Sequence, residues 1–237
     1  MLSASAPTKA GVKKPRPGKR AVQQRTLDTR RKIIDAAVQE FGDQGFEGAS
    51  TRAIAATAGL QHTLVTYHFK GKEGLWRAAV SSLLAGYADT LIDRIHGLRG
   101  VDDVTKLRLI NEDFVAFSAK SLSFHRIMSH VSSSNSPQLD WLIDEYLRRT
   151  FDARAELIRS AQKQGRHVQG DPYHLEYIFI GAVTRVFLLA PEVEKVTGRS
   201  PFTPEFIAEH TRLCLDLFLR DQPDPPDRVS GAAAQKL

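Results

Sequence analysis

The chain has one cysteine, Cys214. No internal disulfide can staple the fold, which fits a reducing compartment. No apolar stretch approaches the roughly 18 residues of a membrane span. The catalytic signatures G-x-S-x-G, Walker A, H-E-x-x-H and G-x-G-x-x-G are missing. The polar groups read as helix surface rather than as a dense acid–base cluster, so no enzyme activity is expected. His125 and His130 have no matching Cys or Asp set, so no metal and no cofactor is expected. There is no internal repeat and no convincing strand, because the apolar residues recur at three-to-four spacing instead of alternating. What remains is an ordinary globular composition, 42% hydrophobic and 25% charged over 237 residues, enough for one or two domains with a real core.

The net charge of +6 is unevenly placed. Residues 1–32 carry +9 and the rest carry −3. This basic front end calls for a polyanion, either nucleic acid or an anionic membrane surface, unless it merely solubilises the chain. Residues 1–26 are rich in Lys, Arg, Pro, Gly, Ser and Ala and nearly free of large apolar residues. A disordered basic arm is expected there, without the apolar core of a secretory signal. Residues 222–237 hold three prolines without apolar periodicity, and a second disordered tail is expected.

Between the tails the pattern is helical. Ile33, Ile34, Ala37, Val38 and Phe41 form the face of a first helix ending near Gly45. Ser50 or Thr51 can cap a short second helix through Thr57, stopped by Gly59. A third runs from about Gln61 to Tyr67. A long fourth runs from Lys72 to Leu98, with Leu75, Ala79, Leu83, Tyr87, Leu91 and Ile95 read as one seam. Further helices are expected near 102–119, 121–132, 137–165, 171–190 and 204–220. The second and third helices, joined by a tight glycine turn, match a helix-turn-helix, whose third helix enters the major groove of DNA. Ala53, Ala55, Ala56 and Ala58 supply a close contact face. Ile54, Leu60 and Val65 fill a small core with Phe41 and Phe46.

The run FGDQGFEGASTRAIAATAGLQHTLVTYHFKGKEGLWRAAV (41–80) closely resembles the DNA-binding region of the TetR family of bacterial transcriptional regulators. Phe41, Gly45, Thr51, Ile54, Ala55, Ala58, Gly59, Tyr67, Phe69, Lys72, Glu73 and Leu75 fall in family register. The resemblance implies an all-α chain: a helix-turn-helix DNA-binding domain at 27–75 and a helical effector-binding and dimerisation domain at 76–221. By position it implies DNA contacts from Thr51 and Arg52, from Gln61, His62, Thr63, Thr66, Tyr67 and His68, and from Lys72 at the opening of helix four. The chemistry agrees. Arg and Gln can read base edges bidentately, Thr can meet a thymine methyl or a phosphate, and a lysine at a helix N-terminus makes an anion site. The sequence departs from the common family pattern at Gln61, His62, Thr63 and Thr66, so docking is inherited but base preference is not.

Resemblance weakens after about residue 98. In such regulators, helices five to seven enclose a ligand and the last two build a dimer. Phe114, Phe117, Phe124, Met128, Trp141, Tyr146, Phe151 and Tyr177 could line a cavity for an apolar or aromatic effector, although residues at this spacing also read as plain core. The 171–190 helix is apolar almost all round, and Gly181 permits close approach. Pairing it with the 204–220 seam across a two-fold gives a homodimer and a pseudo-palindromic operator in double-stranded DNA. The expected function is a cytoplasmic, nucleoid-associated dimeric repressor, released from its operator by a small, largely apolar effector. A regulator without an effector, and an activator, stay open. Membrane binding is disfavoured, because the basic arm lacks the bulky apolar residues needed to insert.

Overall fold

A computed structural model of the chain describes residues 19–221. Helix α1 (Lys19–Gly48) begins inside the segment expected to be an arm. Residues 19–26 carry the helix formers Arg and Gln and extend α1 by whole turns. Gln24 Nε2 donates to Asp28 Oδ1 at 2.9 Å, one turn along the same helix. Residues 1–18 and the tail at 222–237 lie outside the described residues. The backbone of α1 breaks at Gly45, whose φ of 67° suits glycine. A side chain there would also press on the His130 ring.

Helix α2 (Thr51–Thr57) is capped by Ser50, whose hydroxyl accepts from the Ala53 N–H. The Gly59 turn leads to α3 (His62–Phe69). Gln61 stands at its N-cap without a side-chain capping bond, in keeping with a poor capping residue. Ile54, Val65, Phe69 and Phe41 are buried together, with Phe46, Ala58 and Leu60 partly buried against them. The alanine face is smaller than expected: Ala55 is buried, but Ala53 and Ala56 face solvent, because the seven-residue helix turns only Ile54, Ala55 and Ala58 inward.

Helix α4 (Lys72–Gly97) buries Leu75, Trp76, Ala79, Val80, Leu84, Ala88 and Leu91. The expected seam through Leu83, Tyr87 and Ile95 is only partly buried. A strict four-residue repeat drifts around a helix of 3.6 residues per turn, and the core follows the shorter period. Helices α5 (Asp103–Lys120) and α6 (Leu122–Ser132) follow, then α7 (Pro137–Leu142) and α8 (Arg148–Lys163). One π turn, Ile143–Leu147, joins α7 to α8, so the expected 137–165 helix is one rod with a wide turn inside it. The Thr150 hydroxyl caps that turn by donating toward the Tyr146 and Leu147 carbonyls at 3.1 and 3.0 Å. Helix α9 (Pro172–Leu188) is capped by Asp171, and α11 (Pro204–Phe218) by Thr203. Between them lies α10 (Ala190–Thr197), which the periodicity did not resolve. The lone strand-like contact among the described residues is an isolated bridge, His167 to Leu219.

The head does not possess a private core. The buried cluster that holds Ile33, Phe41, Ile54, Val65 and Phe69 runs on through Trp76, Val80 and Leu84. It continues into Phe124, Ile127 and Val131 of α6 and into Leu142 and Tyr146. Trp76 and Trp141 meet edge to face at 5.5 Å across this junction. Full burial of side chains such as Trp76, Phe41 and Ile33 contributes about 1.5–3 kcal/mol each. Two further clusters knit α5, α8, α9 and α11 into the body.

Candidate nucleic-acid interface and effector cavity

On α3, burial of Val65 and Phe69 fixes which way the helix faces. Gln61, His62, Thr63, Thr66 and Tyr67 are exposed, Tyr67 by 78%, and His68 is half-buried. Arg52 is exposed on α2 and Thr51 is half-buried at its start. Thr51 and His62 touch each other: Thr51 Oγ1 and His62 Nε2 are 3.0 Å apart, tying the N-termini of α2 and α3. Lys72 turns back onto the end of α1. Its ammonium donates to the Glu47 carbonyl at 3.0 Å and lies over the Phe46 ring at 4.9 Å. The nine side chains therefore lie at α2, α3 and the first turn of α4, with three of them, Thr51, His62 and Lys72, engaged in holding the head together.

Two residues of this head escaped the sequence reading. Arg30 of α1 donates from Nη1 to the His68 carbonyl at 3.3 Å and lies over the Phe69 ring at 4.6 Å. It caps the C-terminal end of α3, where carbonyls lack helical partners. Gly74 packs its bare Cα against the Phe69 carbonyl, where even a methyl group would fall far inside contact distance. That packing sets how α3 meets α4. In sequence, Arg30 is one cation among ten in the first 32 residues, so no local signal separates it.

Behind the head lies a cavity of about 420 Å³, within the range of small-molecule sites. Of the eight residues expected to line it, Phe114, Phe124, Met128, Tyr146, Phe151 and Tyr177 do. Phe117 and Trp141 do not. Phe117 stacks on Tyr87 at 4.5 Å, and Trp141 is held between Trp76, Tyr146 and the Arg77 guanidinium. Helical spacing gave their periodicity but not which side of the aromatic layer they face. Phe151 and Tyr177 pair at 5.2 Å, with Tyr177 65% exposed, so the cavity meets the surface there.

The polar part of the lining was missed. Arg154 is 4% exposed and donates from Nε to Glu176 Oε1 at 2.6 Å and from Nη2 to Asn111 Oδ1 at 2.6 Å. Its Nη1 has no hydrogen-bond partner, and neither has His125 Nε2. Burial pushes the His125 ring down to about 4, so it stands neutral among Phe114, Phe117 and Phe124. Burial likewise pushes the Tyr87 phenol up to about 12. The signal was available. Arg154 sits on the apolar stripe of Leu157, Ile158 and Ala161, and Glu176 sits on that of Phe179, Val183 and Phe187. A charge on a core-facing stripe calls for a buried partner, and the crossing of α8 with α9 supplies it.

Comparison with known proteins places a family likeness on the head. Residues 33–79 match the family described as bacterial regulatory proteins, tetR family. Its helix-turn-helix head is similar to that of the TetR family. The regulator RutR of Escherichia coli strain K12 is 27% identical over 76% of this chain and 83% of its own length. The regulator BetI of Klebsiella pneumoniae strain 342 is 27% identical over 76% of this chain and 93% of its own. Both are named HTH-type transcriptional regulators, not enzymes. The solved structure of AibR with isovaleryl coenzyme A and operator DNA aligns with a TM-score of 0.64 at 20% identity, over 80% of this chain and 98% of that one. HlyIIR, a hemolysin II transcriptional regulator, aligns with a TM-score of 0.58 at 20% identity, over 79% and 97%. These TetR-type folds share the all-α layout of a helix-turn-helix head on a helical body.

Outside the head and cavity, α9 and α11 leave apolar groups uncovered. Ile178 and Tyr177 on α9 and Leu213 and Leu217 on α11 are each about half exposed or more. The expected α11 seam splits. Cys214, Leu215 and Phe218 turn inward, while Leu213 and Leu217 turn outward. Burial pushes the Cys214 thiol up to about 11, leaving it a buried hydrophobe. No single helix among the described residues is long and apolar enough to cross a membrane.

Proposed function

We propose that this chain is a dimeric, sequence-specific repressor that leaves its operator when a small, largely apolar molecule fills the cavity. The observation that carries the reading is α6. Phe124, His125 and Met128 line the cavity, while Ile127 and Val131 of the same helix are buried in the cluster that holds the DNA-binding head. Arg126 reaches Asp43 of α1 at 2.9 Å. One short helix therefore touches both the ligand space and the head. A ligand that favours one placement of α6 and α4 shifts the head toward or away from DNA-competent spacing.

On DNA, Gln61, His62, Thr63, Thr66 and neighbours of α3 choose bases. Thr51, Arg52, Tyr67, His68, Lys72 and the N-terminal basic residues hold phosphates. The head at 27–75 and the body at 76–221 divide these tasks. The outward faces of α9 and α11, with Gly181 open to close approach, form the two-fold interface, which sets two α3 helices on a pseudo-palindrome. The protein acts in the cytoplasm, on the nucleoid. Selection of bound fragments from a random DNA pool tests the reading. A two-fold symmetric consensus, followed by release with candidate apolar compounds, supports it. A non-palindromic or absent consensus overturns it.

A further inference from the structure

The cavity wall is apolar apart from a small set of polar groups, and these are not charge-neutral by accident of exposure. Arg154 and Glu176 are its charged lining residues, both about 5% exposed at the side chain and already paired at 2.6 Å. Their charges cancel. His125, the other basic group on the wall, stands neutral because burial disfavours its cation. An anionic ligand would leave one negative charge in excess beside that pair, and a cationic one a positive charge. Either cost is several kcal/mol in a dry interior. One hydrogen-bonding capacity is nevertheless left over: Arg154 Nη1 has no partner, and a guanidinium nitrogen can only donate. A buried donor without an acceptor is costly, and the cavity is where an acceptor can come from. The Phe114 ring, which also lines the cavity, lies 5.9 Å from the Arg154 Cζ and 6.2 Å from the His125 ring.

We propose that the effector is an uncharged molecule with an apolar body and a hydrogen-bond-accepting head, such as a carbonyl oxygen, that accepts from Arg154 Nη1. This deepens the reading of the cavity as an effector site and rests on it. His125 Nε2 is the second enclosed polar atom without a partner, on a residue that also lines the cavity.

The test uses four probes of one shape on the full-length protein at neutral pH, by isothermal titration: butylbenzene, 4-phenylbutan-2-one, 4-phenylbutanoate and 4-phenylbutylammonium. The wild type should take the ketone at least about tenfold more tightly than either ion. In Arg154→Met/Glu176→Met, which removes donor and counter-charge together, ketone affinity should fall about tenfold or more, the loss of one hydrogen bond to a charged group. Butylbenzene affinity should hold or rise in that variant, which also reports that the cavity is intact. The wild-type ranking stands whether or not the variant folds. If an ion binds more tightly than the ketone, the charge argument is overturned. If the ketone keeps its affinity in the folded variant, the role of Arg154 is overturned. If no probe binds, butylbenzene included, the cavity itself is not an effector site and both readings fall.

Discussion

Removing Arg154 alone should do more damage than removing it with its partner. The guanidinium and the Glu176 carboxylate are about 5% exposed at the side chain and 2.6 Å apart, and Asn111 Oδ1 accepts from the same guanidinium at 2.6 Å. Arg154→Met would leave a buried carboxylate without a counter-charge, which costs about 3–5 kcal/mol. That is a large share of a typical total stability of about 5–15 kcal/mol. Arg154→Met/Glu176→Met removes both charges and fills the space with apolar groups. Its remaining defect is the Asn111 oxygen, left without a donor, at about 1–3 kcal/mol. The double variant should therefore be more stable than the single one, with a coupling of about 2 kcal/mol or more. Urea unfolding measures it, at one fixed protein concentration so that any linked association is held constant. If the double variant is destabilised by the sum of the two single variants, the pair is not coupled and the charge accounting fails.

Acid should weaken the fold through His125. Above about pH 6.5 the ring is neutral in both states and its contribution is whole. As pH falls, the unfolded chain takes the proton first, while the folded ring resists until about 4. Stability should decline across that window by about 3 kcal/mol and then level off, and His125→Phe should flatten the decline seen in melts at each pH. Gly74→Ala should cost about 3 kcal/mol, the upper end of overpacking, because the methyl meets a backbone carbonyl; a thermal scan showing no loss would contradict the α3–α4 packing. Leu213→Asp/Leu217→Asp should shift sedimentation from dimer to monomer, and an unchanged dimer would place the interface elsewhere. Deleting residues 1–18 removes Lys9, Lys13, Lys14 and Arg16. The log–log salt dependence of operator binding should then be shallower by up to about 3.6, and an unchanged slope would detach this segment from DNA.

The helix-turn-helix was legible because its determinants are local. Ser50 as a cap, Gly59 as a turn, and Val65 with Phe69 as an inner stripe are all readable within twenty residues. The start of α1 was misjudged because solubility and disorder share a composition. Residues 19–26 lack bulky apolar groups, yet helix extension needs only compatible residues and a turn to extend. The cavity was half legible: helical periodicity found five aromatic lining residues and Met128 but placed Phe117 and Trp141 on the wrong side. The Arg154–Glu176 pair joins residues 22 apart on different helices, and Arg30 reaches His68 across 38 positions. Such contacts depend on how helices cross, which periodicity along one helix does not encode. Helix α10 was lost because its exposed Glu192, Glu194 and Lys195 blur the apolar pattern just past a run that is apolar all round.

Helix α6 meets the head on one side and the cavity on another, and any coupling it carries runs both ways. If filling the cavity weakens the hold on DNA by some factor, then DNA must weaken the hold on the ligand by that same factor. The protein resting on its operator would therefore be a poorer receptor than the protein adrift in the cell. Ligand would be captured first by unbound copies, and the operator would empty as that free pool is drawn away. The sharpness of the response then depends on how many spare dimers the cell keeps, a quantity set outside the fold.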